Sequence, residues 1–255
     1  MLILLPPSET KRHGGRSGRA LQLDSLRYPA LLPLRVEAVA AVETLAGDPA
    51  ATMAALKLSR RQADEVTRNR EISSSPTLPA IDRYSGVLYE ALDAASLTSR
   101  QRSFAHRHVV IHSALLGPVA ALDEIPAYRL SASSRLPGFA LRRHWSAAVT
   151  AQLADATGVL LDLRSEGYVA LGPLPTRRHT RYVHVVSEGP DGRRRALNHF
   201  NKHAKGEFAR AMIQAGRSFR TIAELISWSG SAGFDLSESA PGELELCIAG
   251  RAESG

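Results

Sequence analysis

Five short runs rich in valine, leucine and isoleucine punctuate this chain: Leu2 to Leu5, Val109 to Ser113, Val159 to Leu163, Tyr182 to Ser187 and Glu243 to Ile248. Each is bounded by turn-forming residues and reads as a strand. Helical patterns fill the intervals, over Pro33 to Ala46, Ser59 to Arg70, Tyr84 to Asp93, Leu141 to Ala154 and His203 to Ala215. Strands that alternate with helices belong in an α/β fold, here a mixed sheet flanked by helices. Gly189-Pro-Asp-Gly192 is a turn signal, so Tyr182 to Ser187 and Arg194 to Phe200 are expected to pair as a hairpin. With 255 residues and 44% hydrophobic side chains, the chain can bury one substantial core. The expectation is a single compact domain over residues 1–250 with a frayed tail at 251–255.

The lone cysteine, Cys247, excludes an intramolecular disulfide, a zinc ribbon and a Cys-x-x-Cys redox pair, which suits a reducing cytoplasm. The opening run Met1-Leu-Ile-Leu-Leu5 stops at Pro6-Pro7, too soon for a signal peptide, and no apolar run approaches the roughly 20 residues that a bilayer requires. A cytoplasmic chain with no membrane partner is therefore expected. Its formal net charge of +7 favours polyanionic partners, and cations cluster at Arg60-Arg61, Arg142-Arg143, Arg177-Arg178 and Arg193-Arg194-Arg195.

Two polar segments stand out against this scaffold. Pro7-Ser8-Glu9-Thr10-Lys11 follows the first strand directly and offers two hydroxyls, a carboxylate and an ammonium where ligands of open sheets often bind. It lacks the glycines of a phosphate-binding Walker loop. Asn198-His-Phe-Asn-Lys-His-Ala-Lys-Gly206 sets Lys202 and Lys205 three residues apart at a helix start. Two cations there oppose the helix dipole, an arrangement that an anion would relieve. His199, His203 and Glu207 have the i, i+4 spacing of metal ligands but no His-Glu-x-x-His signature, so neither a metal nor a cofactor is assigned. Tyr84-Ser-Gly86 and Ile125-Pro-Ala-Tyr-Arg-Leu130 place Tyr84, Tyr128 and Arg129 beside forced turns. The bland readings are half-buried phenols and an Arg129 clamp on Asp123 or Glu124. Ser113 and Ser165 lie outside any Gly-x-Ser-x-Gly elbow, which makes a serine hydrolase improbable.

Taken in order, Met1 to Lys11, Asp82-Arg-Tyr-Ser-Gly-Val-Leu-Tyr89, Ser113-Ala-Leu-Leu-Gly117, Asp123-Glu-Ile-Pro-Ala-Tyr-Arg-Leu130, Asp162-Leu-Arg-Ser-Glu-Gly-Tyr168 and His199-Phe-Asn-Lys-His-Ala-Lys-Gly206 resemble the YaaA family of peroxide stress proteins, in its actinobacterial branch. The resemblance implies an α/β domain with a positively charged cleft and a helix-hairpin-helix-like element, the nearest stretch being Ala91 to Ser103. It also implies DNA binding and survival of peroxide by limiting iron-linked damage. The chain departs from the family pattern at Ala120, where an arginine is usual, and at Ala132-Ser133, where Met-Gly is usual.

The leading expectation is a DNA-binding stress protein acting on double-stranded DNA without sequence preference. Ser8, Thr10, Lys11, Tyr84, Tyr128, Arg129, Asn201, Lys202 and Lys205 are the candidate phosphate- or base-contacting residues. The alternative is an enzyme on a nucleotide or nucleobase-like small molecule, with Lys11 or Lys205 as anion clamp or base and Asp82 or Asp123 as acid. An interaction protein for iron or redox partners ranks last. Under the first two readings Pro7 to Lys11, Tyr84 to Gly86, Tyr128-Arg129 and Lys202 to Gly206 should converge on one surface.

Overall fold

The computed structural model describes residues 1–16, 18–188, 194–196 and 201–249. Among the described residues ten strands form: β1 (Leu2–Leu5), β2 (Leu78–Pro79), β3 (Val109–Ser113), β4 (Gly117–Ala120), β5 (Glu124–Ile125), β6 (Leu160–Asp162), β7 (Thr180–Glu188), β8 (Arg194–Ala196), β9 (Asp235–Glu238) and β10 (Glu243–Ala249). Eight of them make one sheet in the order β4-β3-β1-β6-β7-β10-β9, with β8 on β7. The β3, β1, β6, β7 and β10 pairings are parallel, while β4, β8 and β9 add antiparallel edges. Strands β2 and β5 pair separately.

Ten α-helices accompany the strands among the described residues: α1 (Leu32–Ala46), α2 (Pro49–Ala55), α3 (Asp64–Arg70), α4 (Ala80–Arg83), α5 (Val87–Leu92), α6 (Ser99–His108), α7 (Leu141–Ala154), α8 (Glu166–Val169), α9 (Asn201–Ala215) and α10 (Ile222–Ser231). Local chemistry sets their limits. Thr98 caps α6 in a reciprocal box with Gln101, and Thr221 caps α10 through the Glu224 amide. The central strands are buried on both faces, as parallel strands under helices must be, and Ile3, Leu5, Val109, Val110, Ile111, Leu160 and Leu161 are fully enclosed. No helix among the described residues is long and apolar enough to cross a membrane.

The α/β reading and its five strands agree with this architecture. Two helix boundaries do not. The stretch expected to be helical from Ser59 opens as a 3-10 turn over Arg60–Gln62, and α3 begins only at Asp64, because the Ser59 and Gln62 side chains close a local box first. The stretch expected from Tyr84 is split: Tyr84 ends α4, and Gly86 at φ 101° lets the chain turn before α5 starts. Strand β7 does pair antiparallel with β8, but the Gly189 to Gly192 turn lies outside the described residues. So do His199 and the tail at 251–255.

Topology sets the place of the polar segments. The chain leaves β1 toward β3 on one side and leaves β6 toward β7 on the other, so the carboxyl ends of β1 and β6 flank a topological switch point. In open α/β sheets that edge is where ligands bind. Pro6 to Lys11 and Asp162 to Arg164 both emerge there.

Candidate functional site at the carboxyl edge of the sheet

After β1 the chain passes Pro6-Pro7 and folds back on the end of α4. Lys11 forms an isolated antiparallel bridge with Tyr84, the Arg12 amide donates to the Arg83 carbonyl at 2.8 Å, and the Ser85 amide donates to the Thr10 carbonyl at 3.2 Å. Arg83 holds this turn from below. Its guanidinium is fully buried and donates to the carbonyls of Arg12 at 2.6 Å, Gly14 at 2.9 Å, Pro76 at 2.8 Å and Ile125 at 3.1 Å. Gly86 keeps Ser8 close, since a Cβ there would lie 3.3 Å from the Ser8 hydroxyl oxygen.

Lys11 is thereby turned inward and is only 4% exposed. Its Nζ sits 4.1 Å from the centroid of the Tyr128 ring and 5.5 Å from that of Tyr84. It donates to the Ser8 carbonyl at 3.0 Å and the Glu9 carbonyl at 3.3 Å. Burial first, and then the neighbouring Arg129 charge, bring its pKa down to about 7. The phenols form a buried hydroxyl chain: Tyr84 Oη to Tyr128 Oη is 2.8 Å, and Tyr128 Oη to Ser113 Oγ is 2.7 Å. Ser113 Oγ also accepts from the Leu115 and Leu116 amides. Burial pushes both phenols up, so each keeps its proton at neutral pH. Tyr89 packs 5.4 Å from Tyr84 and donates to the Pro6 carbonyl at 2.7 Å.

Arg129 closes the outer side. It pairs with Glu9 at 2.8 Å rather than with Asp123 or Glu124, and its backbone is pinned by the buried Asn69 amide through bonds of 2.7 and 2.8 Å.

The second lysine approaches from α9. Gly206 allows this, because a Cβ at that position would meet the Leu88 carbonyl oxygen of α5 at 2.2 Å, so the two helices touch backbone to backbone. Lys205 is also 4% exposed; its Nζ lies 3.5 Å from the Arg164 carbonyl and 5.4 Å from the Tyr182 centroid. Burial lowers its pKa to about 8, with Asp162 opposing. Below it, Arg164 and Asp162 form a fully buried two-pronged ion pair, at 2.6 and 2.8 Å. The Arg164 Nη1 donates to His112 Nδ1 at 2.6 Å, so Nδ1 is the unprotonated nitrogen and the imidazole carries its proton on Nε2. Burial and the arginine hold His112 neutral, with a pKa well below the usual histidine range.

Contacts thus join Pro7 to Lys11, Tyr84 to Gly86 and Tyr128-Arg129 directly. Lys205 is joined to them through Arg164, then His112, then Ser113 next to it on β3. The remaining candidates sit differently. Asp82 is forked onto Arg102, and Asp123 accepts from the Arg27 and Ala120 amides at 2.8 Å each, so both carboxylates are engaged elsewhere. Thr10 and Lys202 are exposed, while Ser8 and Asn201 are half-buried. His203 and Glu207 pair with each other at 3.3 Å. Ala120, the departure from the family arginine, is enclosed within β4 opposite Val110. A cavity of about 260 Å³ exists at the other end of β1, beside Met1, where the Met1 ammonium donates to Thr157 O at 2.7 Å and His108 bonds Met1 O at 2.9 Å, while the buried Tyr28 hydroxyl meets no hydrogen-bond partner among the described residues.

Sequence reading missed Asn69, Arg83, His112 and Arg164, the residues that hold the site rather than face a ligand. Arg83 and Arg164 lie inside the segments singled out above, but nothing in a linear sequence tells a buried arginine from an exposed one.

Known proteins resemble this chain over most of its length. Residues 1–240 match the family model described as peroxide stress protein YaaA. A UPF0246 protein of Corynebacterium glutamicum strain R is 39% identical over 244 residues, spanning 94% of this chain and 96% of its own. One from Streptomyces coelicolor is 38% identical over 251 residues and 94% of each chain. A third, from Ruegeria pomeroyi, is 33% identical over 159 residues, or 58% of this chain and 62% of the relative.

Proposed function

Because the chain belongs to the YaaA family of peroxide stress proteins, we propose that it acts in peroxide defence by binding a small nucleotide-like anion beside Lys11 and Lys205. One observation carries the reading: the two lysines at the switch-point edge are each 4% exposed. Ammonium groups that neutralise the phosphates of a duplex must reach the surface, whereas a small anion can enter between tyrosines and meet inward-facing donors. Asp82 and Asp123 are engaged with Arg102 and backbone amides, so on this reading the hydrogen-bond donors nearest the amine are the hydroxyls of the Tyr84–Tyr128–Ser113 chain.

The reading fixes a pH dependence. With pKa values of about 7 for Lys11 and about 8 for Lys205, binding an anion draws a proton onto any lysine that is neutral in the free protein. Affinity for a nucleoside monophosphate is therefore expected to be highest below about pH 7 and to fall by up to about tenfold per pH unit for each lysine above its own pKa. Calorimetry in buffers of different ionisation enthalpy reads the proton uptake directly. A flat affinity between about pH 6 and about pH 9, with no proton uptake, rules the reading out.

DNA binding is the second reading, favoured by the net charge of +7 and by the exposed ammonium of Lys202 at the start of α9. On it, Lys202→Ala flattens the plot of log K against log salt by about one unit equally for unrelated sequences, while the buried Lys205→Ala leaves the slope unchanged. A helix-hairpin-helix use of 91–103 is weakened by Asp93, whose carboxylate lies in the α5–α6 connection, 3.3 Å from the Arg210 guanidinium.

A further inference from the structure

Four of the 32 lysine and arginine side chains are lysines: Lys11, Lys57, Lys202 and Lys205. Lys57 and Lys202 are exposed, but Lys11 and Lys205 are enclosed. A guanidinium would serve wherever charge alone is wanted, and this chain uses it almost everywhere; an amine differs in that it can lose its proton and become a nucleophile.

Lys11 has the surroundings for that role. Among the described residues its Nζ meets no carboxylate within ion-pair distance, only two carbonyl oxygens and the faces of two phenols. Burial and the nearby Arg129 charge outweigh the opposing Glu65 and Glu9 carboxylates and favour the neutral amine. The Tyr84–Tyr128–Ser113 hydroxyls stand alongside as buried groups that both donate and accept protons. Lys205 differs, because the charged neighbour that acts on it is the carboxylate of Asp162, whereas Arg129 and Arg68 work against the charge on Lys11.

We infer that Lys11 is a carbonyl-reactive amine that captures small aldehydes as an imine, at the lysine end of the site proposed above. In that step the Nζ lone pair forms a bond to the carbonyl carbon, and the carbonyl oxygen leaves as water carrying the two amine hydrogens. The phenol chain relays one of these protons during dehydration. No oxidant or reductant takes part. Aldehydes suit a peroxide stress protein chemically, since radical oxidation of C–H bonds leaves carbonyl products. The covering segment is short: Glu9 and Thr10 above the amine face solvent, with Glu9 59% exposed in its pair with Arg129.

The small set of lysines makes the test direct. The unaltered protein is incubated with benzaldehyde and cyanoborohydride near pH 7, and the reduced adduct is mapped by peptide mass spectrometry. A parallel arm uses a single-stranded oligonucleotide carrying one abasic aldehyde, which separates free carbonyls from those in nucleic acid. Adduct on Lys11 at about tenfold or more over Lys57 and Lys202 in either arm is the expected result, given the neutral fraction that a buried amine holds over an exposed one. Lys11→Arg, which keeps a cation, is expected to abolish the dominant adduct. Equal labelling of all lysines, or labelling confined to Lys57 and Lys202, overturns the inference, and that comparison needs no variant to fold. The result is separable from nucleotide binding. Loss of labelling with pH-coupled binding intact sinks the imine alone, whereas labelling with no nucleotide binding sinks the anion reading alone.

Discussion

Replacing Asp162 by alanine is expected to destabilise the protein by about 3–5 kcal/mol, because it strands the Arg164 charge in a place with no access to water. Both side chains of this pair are 0% exposed. After the substitution Arg164 keeps only the neutral His112 nitrogen at 2.6 Å and the Gly172 carbonyl at 2.9 Å as short partners. For a chain of this size, a loss of that order lowers the melting temperature by roughly 6–20 °C. The ion pair is not itself evidence of high stability, since a well-packed apolar pair of the same shape would do as well. Its value is geometric: it fixes the Arg164 carbonyl toward Lys205 and the guanidinium toward His112. Asp162 is also the group that opposes the downward shift of Lys205, so removing it moves the upper limb of the nucleotide-binding profile to lower pH. Thermal melts and urea titrations of Asp162→Ala check the first part, and the binding profile checks the second. A melting temperature within about 2 °C of the wild type is incompatible with a dry ion pair at this site.

Arg83→Met is the second large effect expected, at about 3–5 kcal/mol, and here the loss is of hydrogen bonds. Methionine fills much of the volume but leaves the carbonyls of Arg12, Gly14, Pro76 and Ile125 without the donor they now share. Hydrogen bonds from a charged donor are each worth about 1.5–3 kcal/mol, and abandoned buried acceptors carry a further desolvation penalty, offset in part where water enters at the rim. The consequence reaches Lys11. Its enclosure depends on the turn that Arg83 clamps, so the variant opens the 10–16 segment and lets the amine hydrate, raising its pKa toward the ordinary lysine value. Amide exchange in this segment should speed up, and the benzaldehyde adduct on Lys11 at neutral pH should fall toward the level on Lys57. Unchanged exchange over 10–16 shows that the turn stands without its clamp.

The Glu9–Arg129 pair shows where chain reading loses its hold. A carboxylate next to Arg129 was foreseeable from Asp123 and Glu124, which precede it closely. The partner is Glu9, 120 residues away, and the pairing exists because β1 and the Tyr128 segment arrive at the same edge of the sheet. Lys11 and Lys205 illustrate the same limit. Their identity and spacing mark them as candidates, either to hold a phosphate or to serve as anion clamp or base. Folding turned both inward, and that burial, which sequence does not reveal, is what lowers their pKa values and favours the titratable amine over the fixed charge.

The sequence by itself determined the α/β class, the five principal strands, the helices around Leu141 and Lys205, and the polar segments at which a site would be sought, because hydrophobic periodicity and turn chemistry are local properties. It underdetermined helix starts where a side-chain box or a glycine with positive φ competes with the helix, as at Ser59 and Gly86. Only the tertiary structure decided the burial of Lys11, Lys205, Arg83 and Arg164, the pairing of Glu9 with Arg129, and the engagement of Asp82 and Asp123 elsewhere. Each of these depends on desolvation and on partners far away in sequence, and the free energy of a charged group is set by what surrounds it in space rather than by its neighbours along the chain.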